Sequence, residues 1–233
     1  MATQRSATGR LRGPRAASAV GITAEVTLGA LLLGLSALAG LVFVHRPWPN
    51  RLDVWGYQVL PLDSGSRLAH DLVTLGSLTA LVVGVVAVFV LGVLRDWVRA
   101  LACAAAPLVA VLVVQDLAKP LVGRHIGLTG GSSYPSGTVA AVAALAVAFT
   151  LVMPRLLRPL VALAGAVVTV GVSAAVIVLR WHYPTDALGG IGVGMGSVLL
   201  VDGLAHIPWV VAALFRRVRP ERGVEMRQQP SLV

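Results

Sequence analysis

Six windows, residues 21–44, 72–94, 100–118, 135–153, 160–179 and 187–207, run almost without charge and consist mainly of Ala, Leu and Val. Each approaches the roughly 20 apolar residues that a helix needs to cross a bilayer. None alternates polar with apolar residues as a membrane β-strand would. Few other folds can accommodate such a chain, and the expectation is an all-α bundle of six transmembrane helices. Composition agrees: 57% of the residues are apolar and 12% charged, the latter about half the share in an ordinary soluble domain. A disordered chain and a coiled coil are thereby excluded. Cys103 is the single cysteine, so no internal disulfide can form. The isoelectric point near 11.3 does not point to nucleic acid, because the basic residues lie between apolar runs and form no stripe.

Those basic residues predict an orientation. Of 19 Lys and Arg, 13 fall in segments that share one side if the N-terminus is inside: Arg5, Arg10, Arg12 and Arg15; Arg95 and Arg99; Arg155 and Arg158; and Arg216, Arg217, Arg219, Arg222 and Arg227. The other six are Arg46, Arg51, Arg67, Lys119, Arg124 and Arg180. The positive-inside rule then puts both termini in the cytoplasm of a multi-pass protein of the cell membrane. The domain reading is a disordered basic tail over 1–20, a helical membrane domain over 21–215 and a second basic tail over 216–233. Basic residues ahead of Ala37-Leu38-Ala39 make a cleaved signal peptide an alternative for the first window, although its apolar run exceeds an ordinary signal core. The loop 46–71 carries Trp48, Trp55 and Tyr57 and reads as an interfacial hairpin that could wall a substrate entrance.

Three polar groups are expected at the outer face. One ends the third window, with Asp116, Lys119, Arg124 and His125. A second opens the fourth, from Gly130 through Pro135, Ser136, Gly137 and Thr138. The third lies before the sixth, with Arg180, His182 and Asp186. Ser136 and Gly137 at a helix start offer unpaired N–H groups and a positive dipole end, which favour phosphate. Lys119 and Arg124 would neutralise charge in phosphoryl transfer. His182 could act as a nucleophile, with Asp186 four residues on to orient its ring. No carboxylate cluster of the kind magnesium requires lies nearby. Taken singly, each cation can be read as an interfacial side chain, and Asp116 as an ion-pair partner of Lys119.

Lys119 with Gly123-Arg124, then Tyr134-Pro135-Ser136-Gly137, then His182-Tyr-Pro-Thr-Asp186 resembles the three-part signature of the type 2 phosphatidic acid phosphatases, the PAP2 superfamily. That signature reads Lys-x6-Arg-Pro, Pro-Ser-Gly-His and Ser-Arg-x5-His-x3-Asp. The resemblance implies a six-helix membrane phosphatase with its site at the outer face, acting on a lipid phosphate or an isoprenoid diphosphate. It implies a phosphohistidine at His182, Asp186 as its partner, and phosphate held by Lys119, Ser136 and Gly137, without metal or other cofactor. The chain departs from the signature at Ile126, which stands where Arg is expected, and at Ala175-Val176, which replaces Ser-Arg. Arg124 and Arg180 are the nearby cations. Thr138 occupies the slot of the histidine that protonates the leaving group.

With that histidine absent, His125 is a candidate acid. A lipid diphosphate needs an acid least, because it departs as a phosphate monoester, a weak base. Thr138 and Arg180 complete the expected phosphate set. The alternatives are a catalytically weak PAP2-like protein that binds lipid phosphate and a small anion transporter. Besides the lipid substrate and the bilayer, self-association is left open, and no nucleic-acid partner is expected. The glycines from Gly189 to Gly196 suit close helix packing. Glu25 lies in an apolar run, Asp202 and His206 read as a structural pair, and Cys103 as a packing residue.

Overall fold

The structure is a computed structural model that describes residues 19–45, 48–60, 63–126 and 131–218, without the side chains of 45, 210 and 213–218. Most of the tail cations, together with Arg46 and Gly130, lie outside the described residues, as do the side chains of Arg216 and Arg217. The helices are α1 (Ala19–His45), α2 (Arg51–Val59), α3 (Arg67–Val73), α4 (Leu78–Val93), α5 (Trp97–Leu112), α6 (Lys119–Val122), α7 (Gly137–Val152), α8 (Arg158–Val178) and α9 (Pro184–Val218). Among the described residues there is no strand, only an isolated bridge between His125 and Ser132.

Four segments are long and apolar enough to cross a membrane: Ala19–Val44, Trp97–Val122, Arg158–Val178 and Pro184–Trp209. The window at 72–94 differs from expectation. It is divided between α3, a 3-10 turn at Thr74–Gly76 and α4, and the two parts are bent by 49°. The cause is local: the Thr74 hydroxyl donates to the Asp71 carbonyl at 2.6 Å, and Ser77 starts a new helix by accepting from the Ala80 N–H. The fourth window yields α7, apolar throughout but 16 residues long. The interfacial loop likewise contains two helices in place of a plain hairpin. Asn50 and Asp53 form a reciprocal capping box at the start of α2, which fixes that helix without help from propensity.

Trp97–Val122 runs on through a π-helical stretch, Val113–Ala118. Pro120 explains the widening: it has no N–H to continue the ladder, and its ring clashes with the carbonyl four residues back. The Lys119 N–H accordingly bonds the Val114 carbonyl, five residues earlier.

The core lies where α7 and α9 meet their neighbours. Gly190 and Gly194 sit against the backbone of α7 at Ser136 and Ala140, while Gly192 and Gly196 sit against α1. A Cβ at any of these positions would force the helices apart, so the glycines serve packing within the chain. By contrast, Leu31, Leu35, Leu38, Leu160, Leu163 and Val170 are exposed on α1 and α8, as a lipid-facing surface requires. At the end of the bundle where α5 starts, Arg99 bonds Asp202 through Nη2 at 2.8 Å and approaches Glu25 at 3.6 Å. The His206 ring bonds the Asp202 carbonyl at 2.7 Å and lies 3.4 Å from Asp96. This network ties α1, α5 and α9 together. It extends the expected Asp202–His206 pair, and Glu25 belongs to it.

Candidate functional site

The opposite end of the bundle gathers the N-termini of α7 and α9, the C-terminus of α8, α6 and α2. The α8 helix ends in a Schellman turn: the Arg180 N–H bonds the Ile177 carbonyl and the Trp181 N–H bonds that of Val176. Arg180 supplies the left-handed residue of this turn at φ 58°, a position that usually falls to glycine. The turn delivers His182 directly ahead of α9. Its backbone is held on both sides, by its own N–H on the Val176 carbonyl and by the Tyr57 hydroxyl, which donates to the His182 carbonyl at 3.2 Å.

One helical turn later, Asp186 is fully buried. Its Oδ2 accepts the Tyr183 N–H at 2.9 Å, an N-terminal cap of α9, and lies 3.7 Å from His182 Nδ1. That separation is too long for a hydrogen bond, and His182 Nδ1 is buried without a partner. The carbonyl of Asp186 accepts the Ser136 N–H at 2.9 Å, so the starts of α7 and α9 are joined. Ser136 is the N-cap of α7, its hydroxyl accepting from the Val139 N–H, and Gly137 is the first helical residue. Those positions are the ones expected from sequence. The Gln115 amide lies over Gly137 so closely that a Cβ there would meet it. Thr138 lies against Gly76 of the α3–α4 junction, which has no room for a side chain.

Arg124 occupies a different place from the one sequence suggests. Its side chain is wholly buried, and its Nη2 bonds Asp53 at 2.6 Å while its Nη1 bonds Asp186 at 2.6 Å and the Thr185 hydroxyl at 2.7 Å. The guanidinium also lies over the rings of Phe43 at 4.0 Å and Tyr183 at 4.4 Å. Two buried carboxylates and two aromatic faces thus enclose it, and its charge is used inside the protein. The other oxygen of Asp53 accepts both the N–H and the hydroxyl of Thr185, capping α9 from a distant helix. Gly56 presses on Pro184, so α2 forms one wall of this end.

Lys119 opens α6 and is half-buried. Gly123, at φ 60°, turns the chain out of that helix towards Arg124. Asp116 is exposed on the π-helical stretch and makes no ion pair with Lys119 among the described residues. Arg180 is exposed, as is His125, which bridges to Ser132. The structure records no bond from His125 to His182.

Sequence reasoning passed over Asp53 and Gln115, gave Ser132 and Ser133 no role of their own, and read Tyr57 only as an interfacial aromatic. Only Asp53 carried a signal, its spacing from Asn50. Among the described residues, four buried side-chain polar atoms lack a hydrogen-bond partner, and three of them are here: Ser132 Oγ, Ser133 Oγ and His182 Nδ1. Such atoms usually have partners. The phenols around them stay protonated. Burial, with the Asp186 charge, pushes Tyr134 up to about 12, and it donates to the Ser36 carbonyl at 2.6 Å. Tyr57 and Tyr183 are raised chiefly by burial.

The comparisons with known proteins bear on this geometry. No curated protein and no solved structure matched the chain. A family model described as the PAP2 superfamily matches residues 26–206, which include every residue of the site. The chain belongs to the PAP2 superfamily.

Proposed function

We propose that the protein is a six-span lipid phosphatase of the outer membrane face, acting on a lipid phosphate or diphosphate through His182 without a metal. One observation carries the reading: His182, its carboxylate partner and the start of α7 are tied into one place by the Ser136–Asp186 bond. Membership of a superfamily made up in general of phosphatases supports it. The six-span count takes α3–α4 as one bent span and α7 as a short one.

In the proposed reaction, Asp186 holds the Nδ1 proton of His182, closing the 3.7 Å gap as catalytic hydrogen bonds commonly do when substrate binds. Nε2 then attacks phosphorus as the bond to the leaving oxygen breaks. The leaving group takes the electron pair. Water cleaves the P–N bond, and the histidine is restored. Lys119, Arg180, the Ser136–Gly137 helix start and the Thr138 hydroxyl would hold the phosphoryl oxygens. Arg124 would act through Asp186, fixing its position and charge. His125 remains the candidate acid.

Thr138 favours a diphosphate, because a phosphate monoester can depart without an acid whereas an alkoxide cannot, and a positioned acid is worth about 10²–10⁴-fold. The test is phosphate release in detergent, with chelator present, from a lipid diphosphate and a lipid monophosphate. The expected result is faster release from the diphosphate, with His125→Ala slowing the monophosphate far more. Equal losses on both would remove His125 as the acid. No release from either would favour the second reading, a weak member that binds lipid phosphate; Thr138 is the residue that speaks for it.

Arg180 allows the fold and the site to be tested separately. A left-handed non-glycine residue costs about 1–2 kcal/mol. Arg180→Gly is therefore expected to raise the melting temperature while weakening phosphate binding. Unchanged binding would limit Arg180 to the Schellman turn.

A further inference from the structure

The end of the bundle opposite His182 holds a second, basic concavity. The α4–α5 turn and the α7–α8 loop meet there around a cavity of about 280 Å³, lined by Arg95, Arg99, Arg155 and Arg158 with Asp96 as its one carboxylate. At about 30 Å³ per water it has room for roughly nine waters. The helix α7 separates it from the Ser136 end by 16 residues, about 24 Å at 1.5 Å per residue.

Ordinary structural duties account for part of this cluster. Arg95 bonds the Leu91 carbonyl, and Arg158 bonds those of Leu151 and Met153, as cations at helix C-termini do. Arg99 is neutralised by Asp202. Arg155 has no such duty, and among the described residues no carboxylate pairs with Arg95, Arg155 or Arg158. The closeness of these cations is enforced by packing: Gly92 sits against Ala100 and Val152, leaving no space for a side chain. Like charges gathered round a partly enclosed space are costly unless an anion joins them, and guanidinium groups match phosphate oxygens in pairs.

We propose that this cavity binds a phosphate oxyanion, and that the headgroup phosphate of an anionic phospholipid in the leaflet away from His182 is its source. A basic pocket between helix ends at the membrane surface suits such a headgroup. A free phosphate ion shares the chemistry, so the test has two arms. The intact protein in detergent is titrated with phosphatidylglycerol, against phosphatidylcholine as control, and separately with inorganic phosphate, following thermal stability. The phosphodiester of phosphatidylglycerol is not a monoester or diphosphate, so turnover does not intrude.

Wild type is expected to be stabilised by phosphatidylglycerol over phosphatidylcholine. Arg155→Glu should weaken that affinity by about tenfold or more, the scale of a charged hydrogen bond, and Arg155→Lys should keep much of it. Arg67→Gln, an exposed cation at the other end of the bundle, should leave it unchanged. An Arg155-dependent response to inorganic phosphate alone would retain the site and make its source soluble. No anion response, or one that Arg155→Glu leaves intact, would overturn the proposal. Arg155 is exposed and unbonded among the described residues, so its variants are expected to fold.

Discussion

Arg124→Ala is expected to be the most destabilising single substitution at the site end of the bundle. It would leave Asp53 and Asp186, both fully buried, as uncompensated carboxylates in one small volume. Breaking a buried ion pair from one side costs about 3–5 kcal/mol, and here one cation serves two anions. The guanidinium plane between Phe43 and Tyr183 would be lost as well. Arg124→Lys should recover only part of the loss, because an ammonium cannot reach Asp53 and Asp186 through separate, fixed nitrogens. Asp53→Ala should act in the same direction by a smaller amount, removing one of the two acids together with the cap on Thr185. The measurement is the melting temperature of each variant in detergent, with the double variant closing a cycle. A large coupling between Arg124 and Asp53 is expected. A near-native melting temperature for Arg124→Ala would contradict the enclosed geometry and return Arg124 to the substrate.

This cluster also shows where sequence reasoning reaches and where it stops. The long apolar windows locate α1, α5, α8 and α9 because lipid demands uninterrupted apolar length, and length is visible in a sequence. The bend at Thr74–Ser77 was not legible. The two hydroxyl bonds are local, but whether Thr74 and Ser77 interrupt the helix is decided by the fit of Gly76 against Thr138, a contact that no local pattern records. The convergence of His182, Asp186 and Ser136 was legible from the alternation of spans, which sends all three groups to one end. Asp53 was not, since 71 positions separate it from Arg124 and a short polar helix carries it. Arg124 meets the same limit: a cation near a phosphate motif suggests an anion from outside, and the two buried carboxylates that it bonds are out of view in the sequence. Arg180 illustrates a third limit. Its left-handed backbone follows from the way α8 terminates, and arginine is not the residue by which such a turn is ordinarily recognised.

The second large effect concerns His182. His182→Ala removes the proposed nucleophile but leaves Asp186 bound to Arg124 and to the Tyr183 N–H, and the side chain makes no hydrogen bond that the fold would lose. Stability should therefore change little while phosphate release falls to background. Asp186→Asn should behave differently: it keeps the cap geometry but leaves Arg124 with a single anion, so stability and turnover are expected to drop together. This contrast separates a residue that reacts from one that positions. If His182→Ala lost stability and activity together, the histidine would be read as structural.

The central claim is that the phosphoryl group passes through the imidazole of His182. Its most direct test is an alkaline denaturing quench of the detergent-solubilised protein during turnover of a lipid diphosphate labelled in the terminal phosphate, followed by mapping of the labelled peptide at alkaline pH. The account predicts an acid-labile, base-stable label on the peptide containing His182, absent from His182→Ala. Steady release of phosphate by His182→Ala at the wild-type rate, with no labelled histidine in either protein, would contradict it.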